Sequence, residues 1–91
     1  MPDSLNILIV DDELNIRKTM TVYLESEGHS IVSVSNSQDA LSESRRRSFD
    51  MAFVDLRLGT DSGMDLIPAL IAGSPWIKIV ACVSTTWPMV L

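Results

Sequence analysis

The chain has 91 residues, 46% of them hydrophobic, and a formal charge of −5 from 12 acidic and 7 basic side chains. That length allows one domain with a modest core, and the acidic balance argues against a nucleic-acid surface, which needs clustered Lys and Arg. No apolar run approaches the about 20 residues of a membrane span, no basic-then-apolar leader opens the chain, and the lone Cys82 can join neither an internal disulfide nor a zinc-spaced cluster.

Four apolar runs recur at even spacing: Leu5 to Val10, Ile31 to Val34, Met51 to Leu56 and Ile77 to Val83. The first, third and fourth are nearly continuous rather than alternating, which predicts strands covered on both faces, as in a parallel sheet. Between the first two, Ile16, Met20, Tyr23 and Leu24 form a helical stripe, Arg17, Lys18, Glu25 and Glu27 fall mostly outside it, and Gly28 stops the helix. Asn36 and Ser37 can cap a second helix that turns Ala40, Leu41 and Ser44 inward and carries Arg45, Arg46 and Arg47 near its C-terminal end, where positive charge is favourable. A third helix is expected to start at the capping-box-like pair Ser62 and Asp65. Its apolar face is Met64, Leu66, Ile67, Leu70 and Ile71, Pro68 should kink or shorten it, and Gly73-Ser74-Pro75 ends it. Strands alternating with helices in this way predict a doubly wound parallel α/β sheet with right-handed crossovers. Tyr23 and Trp76 read as packing residues, His29 as a turn residue before the second strand, and Cys82 as a small buried hydrophobe.

In such sheets ligands bind beyond the carboxyl ends of the strands, so the residues that follow each run matter most. Asp11, Asp12 and Glu13 follow the first, Asp55 and Arg57 lie at the end of the third, and Ser84, Thr85 and Thr86 follow the fourth. With strands one and three adjacent, Asp11, Asp12 and Asp55 should meet at one edge of the sheet. An acidic pair after a strand also serves simply as a helix start, and a strand-ending Asp as a turn residue. Three carboxylates together, however, repel one another unless a cation neutralises them, and a hard all-oxygen set with few protein donors suits Mg²⁺.

The stretches Ile7-Leu8-Ile9-Val10-Asp11-Asp12-Glu13, Phe53-Val54-Asp55-Leu56-Arg57-Leu58 and Asp61-Ser62-Gly63-Met64-Asp65-Leu66 resemble the receiver domain of bacterial two-component response regulators, over about residues 5 to 84. The Asp-Leu-Arg-Leu wording leans towards receivers of nitrogen-regulator-type transcriptional activators. The resemblance implies a flavodoxin-like sheet, here with four strands in the order 2-1-3-4 and three helices. It also implies phosphorelay signalling in the cytoplasm rather than enzymatic turnover. Asp55 would accept a phosphoryl group from a sensor histidine kinase, and Asp11, Asp12, Asp55 and the backbone carbonyl of Arg57 would hold Mg²⁺.

Residues 1–91 are then expected to be one receiver domain, truncated at its C-terminus and without an output domain. The family's switch hydroxyl at the end of strand four falls at about Val83, which has no oxygen. Ser84 could replace it only through a one-residue slip, which turns a side chain to the other face. The family's phosphate-contacting lysine is not matched, since Lys78 lies at the opposite end of strand four. The bare edge of that strand would also offer a route to a homodimer. Two competing readings are a module that docks partners without phosphorylation and an aspartyl phosphohydrolase. The latter needs an Asp-x-Asp spacing that Asp11-Asp12-Glu13 lacks.

Overall fold

The computed structural model describes residues 4–58 and 61–82. Strand β1 (Asn6–Val10) leads into helix α1 (Leu14–Ser26), then β2 (Ser30–Val34), α2 (Ser37–Arg46) and β3 (Met51–Asp55). Two short strands, β4 (Arg57–Leu58) and β5 (Asp61–Ser62), pair antiparallel, and a 3₁₀ turn (Gly63–Asp65), α3 (Leu66–Gly73) and β6 (Lys78–Cys82) follow. The main sheet has the order β2-β1-β3-β6 with every pairing parallel. This is the expected 2-1-3-4 order, with β6 as the fourth strand and α1, α2 and α3 as the three helices.

Alternation along the central strands divides the core in two. Leu8, Val10, Ala52 and Val54 point to one face and pack with Ala40, Phe49, Leu66 and Leu70, so α2 and α3 cover that side. Ile7 and Ile9 point to the other face, where Met20 of α1 meets them with Ile16, Leu24, Met51 and Phe53 partly buried around it. Among the described residues no helix is long and apolar enough to cross a membrane.

Local chemistry sets the element ends. Gly28 takes φ +96°, a left-handed conformation that L side chains rarely adopt, and lets the chain reverse after α1. His29 Nδ1 then accepts the Leu5 N–H at 3.1 Å, tying the turn before β2 to the start of β1. At α2 the Asn36 side chain accepts the Asp39 N–H at 2.7 Å, the cap its sequence predicts. Helix α3 departs from expectation. It begins at Leu66 rather than from a capping box at Ser62, which lies in β5, and Asp65 makes no side-chain cap bond. Pro68 is the physical reason: proline is tolerated only in the first helical turn, so the α-helical register starts just before it. Tyr23 and Trp76 are 63% and 61% exposed and do not pack into the core. The side chain of Cys82, the Val83 and Ser84 positions and the apolar stretch from Trp87 lie outside the described residues.

Candidate functional site

Val10 pairs with Val54, so β1 and β3 run out of the sheet together, and the next residue on each is an aspartate. Asp11 and Asp55 are both fully buried, whereas Asp12, one residue further along the β1–α1 loop, is exposed. Carboxylate oxygens from all three lie within 4.8 Å of one another. The sequence thus predicted both the members of this cluster and their convergence. Arg57 sits two residues past Asp55 at the head of β4, in register with Ser62 of β5. The register of the last pair places Cys82 opposite Asp55. Ser84 lies beyond the described residues.

Asp11 is held at three atoms. Its N–H donates to the Val34 carbonyl at 3.1 Å, its Oδ1 accepts the Glu13 N–H at 2.8 Å, and its carbonyl accepts Nη1 of Arg17 at 2.8 Å. The second contact is an Asx-turn that shapes the loop into α1. It fixes the N-cap residue Glu13 through its own N–H, while Glu13 makes no side-chain cap bond. The third involves a residue that the helical periodicity assigns only to the polar side of α1. The signal that could have found it is a cation placed within a turn of an acidic loop, because helical side chains lean back towards the N-terminus.

The donor set fits a hard divalent cation. Three carboxylates crowded at a sheet end repel one another, and Mg²⁺ takes oxygen ligands at one or two carboxylates while keeping several waters. Burial of Asp11 and Asp55 raises the cost of leaving the charge uncompensated, and exposed Asp12 leaves one side open to water.

The response regulator receiver domain model matches residues 7–89. AlgB, the alginate biosynthesis transcriptional regulatory protein of Pseudomonas aeruginosa, is 40% identical over 74 residues, which are 81% of this chain and 16% of AlgB. The chain therefore spans a small part of that relative's length. Among solved structures, a Burkholderia pseudomallei response regulator with a phosphorylated aspartic acid and a calcium ion superposes with a TM-score of 0.82 at 33% identity. That match covers 87% of this chain and 46% of the other. TrrA from Thermotoga maritima, in complex with Mg²⁺-BeF, gives a TM-score of 0.73 at 30% identity over 81% of this chain and 64% of TrrA. By motif, sheet order and these likenesses together, the chain belongs to the response regulator receiver domain family, the regulatory phosphoacceptor modules of two-component phosphorelay signalling.

Proposed function

We propose that residues 1–91 act as one receiver domain in which Asp55 is the phosphoacceptor and Asp11, Asp12, Asp55 and the Arg57 carbonyl hold Mg²⁺. The observation that carries this reading is the burial of Asp55 at the end of β3 with Asp11 and Asp12 oxygens within 4.8 Å. The donor is a phosphohistidine on a sensor kinase, in keeping with the family. An Asp55 carboxylate oxygen forms the new O–P bond as the P–N bond breaks, and the histidine leaves as neutral imidazole after taking up a proton. When bound, Mg²⁺ supplies neutralisation of the charge on the transferring phosphoryl group. The chain's own contribution is to preset the geometry: the β1–α1 loop fixes Asp11 at three atoms, and strand pairing fixes Asp55 beside it. The place of such a module is the cytoplasm, upstream of an output that controls transcription in relatives such as AlgB.

The test is intact mass after incubation with MgCl₂ and acetyl phosphate, with Asp55→Asn alongside. A gain of one phosphoryl group, absent from the variant and in EDTA, is expected. No gain from a folded chain would refute the assignment and leave docking without phosphorylation as the working reading. The same variant should melt higher than the parent in EDTA, by on the order of 1 kcal/mol, because neutralising one of three crowded carboxylates relieves repulsion. A homodimer is a further consequence: among the described residues β6 is the last strand of the main sheet, and its outer ladder can pair with a second copy. Concentration-dependent sedimentation tests it, and a monomer at all concentrations would exclude it.

A further inference from the structure

We propose that Arg17 is a positioning residue for the metal site, acting through the peptide that joins Asp11 to Asp12. The inference rests on the reading of the acidic cluster as a Mg²⁺ site and goes beyond it. Arg17 Nη1 donates to the Asp11 carbonyl at 2.8 Å in a partly buried contact. That carbonyl belongs to the planar unit whose other end is the N–Cα bond of Asp12. Fixing the carbonyl therefore fixes the plane from which the Asp12 side chain projects. Asp12 is exposed, and the clamp aims it at the cluster from a distance.

The placement of Arg17 supports this role over a structural one. A cation near the N-terminus of a helix opposes the helix dipole, and α1 has no acidic residue in its first turn to compensate it. Glu13 stands one turn before Arg17, yet the guanidinium bonds the Asp11 carbonyl of the acidic loop. Charge and position also make opposite predictions. If Arg17 acted as a nearby positive charge, it would compete with the cation, and removing it would tighten Mg²⁺ binding. If it acts by orienting the loop, removing it weakens binding, as loss of a residue that orients a metal ligand typically does by about tenfold or more.

The experiment is calorimetric titration of the full chain with MgCl₂ for the parent, Arg17→Met, Arg17→Lys, Lys18→Ala and Asp55→Asn, with thermal melting of each in EDTA. Arg17→Met keeps the aliphatic stem and helix propensity while removing the donor. It should bind Mg²⁺ about tenfold more weakly while still melting cooperatively as a folded chain in EDTA, at a temperature lowered by loss of the bond. Arg17→Lys restores a donor on a long stem and should recover most of that loss. Lys18→Ala removes a neighbouring exposed charge and should stay within about twofold of the parent. Equal or tighter binding by a folded Arg17→Met overturns the clamp, as does failure of Arg17→Lys to exceed Arg17→Met. If Arg17→Met is unfolded, the Lys comparison against the parent decides alone, a tenfold loss in Arg17→Lys overturning the clamp. Saturable binding by the parent that Asp55→Asn abolishes shows the site reading to stand even where the clamp falls. Absence of any such binding in the parent overturns both.

Discussion

The two faces of the main sheet are built from the same strands yet are covered differently. On one, α2 and α3 bury Leu8, Val10, Ala52 and Val54 completely, with Phe49 1% exposed among them. On the other, α1 is the covering helix among the described residues, and it leaves a groove of ≈ 620 Å³ lined by Ile16, Met20, Tyr23, Leu24 and Phe53. Two helices side by side fill the width of a four-stranded sheet, whereas one helix covers β1 and β2 and leaves Phe53 of β3 half-buried. Stability should therefore be concentrated on the α2–α3 face, and tolerance of substitution on the α1 face.

Truncations on the two faces put that contrast to its hardest test. Phe49→Ala should cost about 3–5 kcal/mol in urea denaturation, the range for emptying a closed aromatic site. Met20→Ala, next to the groove, should cost about 2 kcal/mol, at the low end for its type, because the site is open to relaxation and to water. Equal losses would show the α1 face to be as tightly packed as the other. The helix starts give a smaller contrast. Asn36→Ala removes a formed cap from α2 and should cost about 1 kcal/mol. Glu13→Ala removes no cap bond from α1 and should stay within about 0.5 kcal/mol. A large loss at Glu13 would mean that its side chain supports the acidic loop itself.

The parallel strands and the acidic cluster were legible in the sequence for related reasons, whereas the order 2-1-3-4 came from the resemblance to receiver domains. Continuous apolar runs identify strands buried on both sides, and the residues directly after those runs must lie at one edge of the sheet, so Asp11, Asp12 and Asp55 announce themselves by position. The start of α3 was not legible, because Ser62 and Asp65 satisfy a capping pattern while Pro68 dictates the register. The β4–β5 pair was missed because strands of two residues are too short to show any alternation. Tyr23 falls on the helical stripe of α1 but meets the groove rather than a partner, since periodicity tells which side a residue faces and not whether anything stands opposite. Arg17 was missed for the converse reason: an apolar pattern says nothing of where a long polar side chain leans.

Every pairing in the main sheet joins strands separated in sequence by a helix or more. Among the described residues the main sheet therefore holds no hairpin with which to begin folding, and each of its strand contacts must first meet the entropy of closing a long loop. Refolding should be slow for a chain of this length compared with a helical bundle of equal size. Because β1 is bonded to both β2 and β3, its amides should be among the first protected in pulse-labelled hydrogen exchange. The strand that delivers Asp11 to the site would thus also be the one around which the rest of the molecule gathers.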